Sequence, residues 1–154
     1  MRRSAGILLF RRSPDLEVLL AHMGGPFWQR KDAGAWTIPK GEPLEGEEGL
    51  ATAEREFAEE LGLPVPAGPR IDLGEVRQSG GKVVRAWAVE GALDPASIEP
   101  GTFELEWPPR SGRLARFPEV DRVAWLSPAR AAELIVTAQR DFLTRAQEHP
   151  HVRS

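Results

Sequence analysis

Glu56, Glu59 and Glu60 stand three and four residues apart, so on an α-helix their carboxylates project near one another on one face. Like charges at that spacing repel, whereas an ordinary surface helix alternates acids with bases. A hard divalent cation resolves the conflict, because magnesium or manganese takes carboxylate oxygens, keeps several waters and shares its shell with substrate phosphates. A solvated acidic face is the competing explanation, and charge pattern alone weighs the two equally. The surrounding window is where chemistry is to be sought: eight of the 23 acids lie between Glu42 and Glu60, with Lys40 and Arg55 the only nearby bases.

A longer spacing separates the two readings. Gly41, Glu47, Arg55-Glu56-Phe57, Glu59-Glu60 and Gly62-Leu63 together spell G-x5-E-x7-R-E-U-x-E-E-x-G-U, where U is a bulky apolar residue. Seven fixed residue types arise by accident in a chain of this length with a probability on the order of one in ten million. The pattern resembles the Nudix box in full. Phe57 stands where the family more often has an aliphatic residue, and an aromatic ring fills the same buried position.

The resemblance implies the Nudix fold, an α/β/α sandwich with a mixed β-sheet. It also implies hydrolysis of a phosphoanhydride bond in a nucleoside diphosphate linked to another group, or in a nucleoside triphosphate, with Mg2+ or Mn2+. On the family pattern Glu56, Glu59 and Glu60 form the metal-binding set, and one of them takes a proton from the attacking water. Arg55 then orients a box glutamate through a charged hydrogen bond, which suits its fixed fork of donors. Glu47 opens the helix, where a metal role and a dipole-complementing role carry equal weight. Gly41 is read as allowing a tight loop and Gly62 as ending the helix in a left-handed conformation. The backbone carbonyl of Lys40 is a further metal contact, and its ammonium can present a compact positive charge to a phosphate; a solvated lysine is the alternative. Trp36 to Glu42 and Phe117 to Leu126 look like the strands that precede the box and close the sheet in bacterial Nudix hydrolases. The likeness therefore spans the chain, read as one domain over residues 1–154.

Phe27, Trp28 and Trp36 lie in or beside the loop preceding the box and are the candidates for stacking on a base, with core packing favoured for Trp36 and an even choice for Trp28. Dinucleoside polyphosphate hydrolases of the family often carry a tyrosine some 17 residues after the box, where this chain has Gly80, and ADP-ribose hydrolases a proline one position earlier, where it has Ser79. The Pro39-Lys40-Gly41-Glu42 approach still resembles the dinucleoside polyphosphate (Ap4A-type) branch, which ranks second as a substrate class. A non-hydrolytic nucleotide-sensing module ranks lower, since such members usually lose box glutamates and here each is present. Glu104, Glu106 and Glu119 are candidates for an extra carboxylate, with Glu119 preferred for its place at the start of a strand. His22, His149 and His151 have no spacing that makes a site.

The elements that must position these groups follow from periodicity. Ala5 to Phe10 and Glu17 to Met23 read as a hairpin joined by the turn formers from Arg11 to Asp15. Leu50, Ala53, Phe57, Ala58 and Leu61 form one apolar stripe on a helix from about Glu47 to Leu61. Arg70 to Gln78 and Lys82 to Glu90 are strands around the turn Ser79-Gly80-Gly81, and Thr102 to Trp107 and Val120 to Leu126 are two more. Ser127-Pro128 starts a final helix whose apolar repeat runs on to Leu143.

Composition removes other classes. The 154 residues include no cysteine, which excludes disulfide scaffolds, cysteine zinc sites and thiol nucleophiles and fits a reducing cytoplasm. A formal net charge of −3 marks neither a duplex nucleic-acid binder nor a membrane-surface protein. No apolar run approaches the roughly 20 residues of a membrane helix, and the start lacks a cleavable leader, so a cytoplasmic enzyme acting on a nucleotide-type small molecule is expected, of unassigned oligomeric state.

Overall fold

Strand β1 (Arg3–Arg12) explains most of the architecture, because its residues alternate between two apolar surfaces. Ile7 and Leu9 join one core with Ala53, Phe57 and Leu61, while Leu8 and Phe10 join a second with Leu134, Phe142 and Leu143. A strand buried on both faces must be covered on both, and helices supply the cover. The computed structural model describes residues 2–12 and 14–153. Ser13, in the expected hairpin turn, lies outside the described residues.

β1 pairs antiparallel with β2 (Leu16–Met23) and parallel with β6 (Val83–Glu90), whose outer neighbour is β5 (Ile71–Arg77). The short β3 (Trp36–Thr37) and β9 (Val120–Leu126) pair with β2, and β4 (Lys40–Gly41) pairs with β1. These seven strands form a mixed sheet, and β7 (Thr102–Glu106) and β8 (Leu114–Pro118) form a separate hairpin. Helix α1 (Gly49–Leu61) covers one face of the sheet. Across the other lie α2 (Pro128–Leu134) and α3 (Arg140–Glu148), with α4 (Pro150–Arg153) after them. This is the α/β/α sandwich with a mixed sheet that the box implied.

α1 is held by the stripe that its sequence shows. Ala53, Phe57 and Leu61 are each fully buried, and the two large side chains contribute roughly 1.5–3 kcal/mol apiece. Gly62 ends the helix at φ 72°, and its N–H returns to the Ala58 carbonyl at 2.8 Å. A Cβ there would also overlap the Glu99 carbonyl, so glycine meets two demands at once.

Three expectations need correction. The final helix is broken after Leu134, although its apolar period continues. Ile135 is extended and bridges to Trp36, and the Val136 N–H donates to the Trp36 carbonyl at 2.8 Å, so sheet-edge pairing competes with helix there. α1 begins at Gly49, two residues later than expected. The partner of β7 is β8, hidden in the sequence by the Pro-, Gly- and Arg-rich stretch from Pro108 to Arg113.

Candidate active site

Arg55, in the middle of α1, is a hub. Its Nε and Nη2 donate to the two carboxylate oxygens of Glu47 at 2.9 and 3.0 Å, a fork that matches the carboxylate plane. Nη1 donates to Glu56 Oε1 at 3.0 Å and Glu59 Oε2 at 3.1 Å, and Nη2 also reaches the Glu42 carbonyl at 3.0 Å. Glu47 accepts further bonds from the Leu44 N–H and the Thr52 hydroxyl. With both oxygens engaged, its carboxyl is held down at about 2, the Arg55 hydrogen bonds being the largest cause. The Arg55 guanidinium is correspondingly held well above its ordinary range. Glu47 precedes α1 and engages both oxygens in this network, where it anchors Arg55.

Glu60, one turn along, has the opposite environment. It lines a cleft of about 350 Å³ together with Lys40, Glu56, Glu119, Trp28 and Phe103. Burial pushes its carboxyl up to about 8; the Lys40 ammonium and backbone N–H oppose the shift, and the Glu56 and Glu119 charges add to it. Glu56 is also raised by burial, against the pull of Arg55. Burial raises Glu119 as well, helped by Glu56 and Glu59. Lys40 is lowered, first by burial and then by the nearby Lys82 ammonium, while Glu60 draws it back up. Gly41 has no positive φ; a Cβ there would overlap the Glu56 carboxyl group, so its need for glycine is close approach rather than a tight loop.

Of the three glutamates expected on one face, Glu56 and Glu60 line the cleft while Glu59 is half-exposed and bonded to Arg55. Glu119 takes the neighbouring place. It is brought in by backbone bonds, its N–H to the Gly101 carbonyl at 2.9 Å and its carbonyl from the Gly24 N–H at 3.0 Å. Glu104 and Glu106 are not among the cleft residues; Glu104 pairs with Arg116, and Glu106 accepts the Arg110 and Gly112 N–H groups.

The aromatic candidates separate in the same way. Trp28 lines the cleft, half-buried, with Lys31 Nζ 5.3 Å from its ring. Phe27 is exposed and meets Trp107 edge-on at 5.4 Å, outside the cleft lining. Trp36 is buried at 4% exposure, bonds Asp32 through Nε1 and is faced by Arg122, so it packs and offers no ring to a ligand. Phe103 was missed: only the β7–β8 hairpin, folding back over Gly25, brings it to the cleft. His22 is fully buried; Nε2 donates to the Lys31 carbonyl at 2.7 Å and Nδ1 faces Asp121 at 3.0 Å, linking the loop that carries Trp28 to β9.

The donors around the cleft suit a hard divalent cation: neighbouring carboxylates, Glu56 and Glu60 half-buried, whose mutual repulsion one lysine only partly offsets. Among the described residues, no three acidic or imidazole side chains already converge in ligating geometry.

Comparison with known proteins places this geometry. The family model of the Nudix domain matches residues 1–146. No curated protein matches the chain. Among solved structures, a C. elegans Ap4A hydrolase in a binary complex is 19% identical with a TM-score of 0.65, covering 94% of either chain. The Nudix domain of Shewanella oneidensis NrtR, complexed with ADP ribose, is 18% identical at a TM-score of 0.63, over 96% of this chain and 87% of that one. A MutT protein from Methanosarcina mazei is 23% identical at 0.59, over 94% and 91%. These likenesses establish the fold, and the match of the family model over nearly the whole sequence establishes that the chain belongs to the Nudix family of hydrolases.

Proposed function

We propose that the chain is a Mg2+- or Mn2+-dependent enzyme that hydrolyses a phosphoanhydride bond in a nucleoside diphosphate linked to another group, or in a nucleoside triphosphate. The observation that carries this reading is Glu60, half-buried beside Glu56 and Glu119 and opposite Lys40, in a cleft walled by Trp28 and Phe103. Glu56 and Glu60, with Glu59 or Glu119 and the Lys40 backbone carbonyl, are the groups that would hold the cation. When bound, that cation supplies Lewis-acid polarisation of the phosphoryl oxygens and screens the carboxylates from one another.

The remaining work falls to the chain's own residues. A carboxylate of the set takes the proton of the attacking water, and Arg55 fixes Glu56 so that its position is set before substrate arrives. The Lys40 ammonium carries charge developing on the bridging oxygen as it leaves. Trp28 and Phe103 present aromatic surface to a base. No side-chain nucleophile is required, and the attacking oxygen comes from water.

Phosphate release from a panel of nucleotides tests the proposal. Turnover should require a divalent cation, and hydrolysis in 18O-labelled water should place one label on one product. Tight nucleotide binding without turnover under all metal conditions would favour a sensing module instead. Dinucleoside polyphosphates belong in the panel because of the Pro39 to Glu42 approach to the box.

A further inference from the structure

His22 has no spacing in the sequence that makes a site, yet its ring is fully buried with a partner at each nitrogen. Nδ1 stands 3.0 Å from both Asp121 oxygens, and Nε2 stands 2.7 Å from the Lys31 carbonyl oxygen. A carbonyl only accepts, so Nε2 must carry a proton to bond it, and Nδ1 can bond the Asp121 carboxylate only by carrying one as well. The ring is boxed in on its other sides. Trp36 meets it edge-on at 5.1 Å and gives its own N–H to Asp32, which lies 3.7 Å from Arg130 of α2, while Arg122 bonds Asp121 at 3.1 Å.

The carbonyl that His22 holds belongs to the loop between β2 and β3. From Gly25 to Lys31 this loop bonds to itself: the Trp28 N–H donates to the Gly25 carbonyl at 3.3 Å, and the Lys31 N–H to the Trp28 carbonyl at 3.0 Å. Among the described residues, the bond from His22 to Lys31 is the one hydrogen bond that ties this stretch to the rest of the protein. A continuous path therefore runs from Asp121 on β9, two residues after Glu119, through the His22 ring and the Lys31 peptide to Trp28, whose side chain lines the cleft. The edge-on contact of Phe27 with Trp107 cannot replace it, because Trp107 follows a hairpin that is itself separate from the main sheet.

We infer that His22 is a positioning residue for nucleotide binding: by donating from Nε2 to the Lys31 carbonyl it holds the turn that sets Trp28 against the cleft. The inference rests on the proposed hydrolytic reading and adds to it a residue that touches no substrate.

Long-range 15N–1H spectra of the imidazole rings in metal-free protein should show Nε2 of His22 carrying a proton, the signal being distinguished from those of His149 and His151 by its loss in His22→Gln. A ring with a bare Nε2 would overturn the inference, since it could not bond the carbonyl. His22→Gln and His22→Asn then separate the two contacts, because the glutamine amide nitrogen reaches the place of Nε2 and the asparagine amide nitrogen that of Nδ1. Exchange of the Lys31 amide should quicken at least about tenfold in His22→Asn and stay within about threefold of wild type in His22→Gln. With a nucleotide that wild type hydrolyses, His22→Asn should raise KM about fivefold with kcat within about twofold, and His22→Gln should keep KM near that of wild type. Equal changes in the two variants, or a fall in kcat at unchanged KM, would mean that His22 only fills space. If wild type turns over no nucleotide, the hydrolytic reading falls, and the ring spectrum with the amide exchange still decides whether His22 holds the turn of Trp28.

Discussion

Glu47, just before α1, and Glu60, near its end, are held in opposite states. Around Arg55 every carboxylate has a donor: Glu47 takes four hydrogen bonds, and Glu56 and Glu59 one each. At Glu60, less than two turns on, burial and like charges outweigh the single lysine opposite. The same residue type is thus held down at about 2 in one place and pushed up to about 8 in the other. Glu47, with both oxygens partnered, acts as scaffold, whereas the under-partnered Glu60 is poised for something the chain does not itself supply.

The contrast is sharpest in activity. Glu60→Gln keeps the shape and removes the charge, and steady-state hydrolysis should fall at least about a hundredfold while circular dichroism stays unchanged. Glu47→Gln should cost less in rate, because its effect reaches the cleft only through Arg55. A rate for Glu60→Gln within threefold of wild type at saturating Mg2+ would break the comparison.

Arg55→Ala is the next largest effect and acts on the scaffold end. It strips donors from Glu47, Glu56 and Glu59 together, and the melting temperature should drop by roughly 5 °C. Melting curves for the variant in low and high salt check this, since three unpaired anions are partly relieved by screening.

The two ends should also answer pH with opposite sign. Glu47 is depressed in the folded protein, so its stabilisation is present above the ordinary carboxylate range and is lost as pH falls toward about 2. Glu60 is raised, so its folded form keeps a proton that the unfolded chain has released; stability falls as pH rises from the ordinary carboxylate range through about 8. Melting temperatures of metal-free protein across that upper window should decline, and Glu60→Gln should flatten the decline. A flat wild-type profile there would contradict the burial assigned to Glu60.

The smallest effect belongs to the aromatic wall. Trp28→Leu should raise KM about five- to tenfold, while Phe27→Leu, outside the cleft lining, should change it less than twofold. Equal effects at both positions would mean that the base does not stack where Trp28 lies.

Much of this was legible in the sequence because α1 is local. The spacing of Arg55, Glu56, Glu59 and Glu60 fixes their relative positions within one helix, and the Ala53, Phe57 and Leu61 stripe says which side is buried. What was not legible depends on distant chain segments. Phe103 reaches the site through a separate hairpin, which leaves no local periodicity. In the sequence Glu119 stands out only by its place before a strand; backbone bonds to Gly24 and Gly101 are what carry it to the cleft. Trp36 and Trp28 look alike as loop-flanking tryptophans, and only tertiary packing tells the buried ring from the available one. The break at Ile135 is a similar case, where the apolar period is kept and the backbone follows the sheet edge instead.

Direct Mn2+ binding, followed by electron paramagnetic resonance on wild type, Glu60→Gln and Glu47→Gln, tests the division of α1 most directly. The account predicts at least a tenfold loss of affinity in Glu60→Gln and a change within threefold in Glu47→Gln. Retained affinity in Glu60→Gln, or a larger loss in Glu47→Gln than in Glu60→Gln, would contradict it.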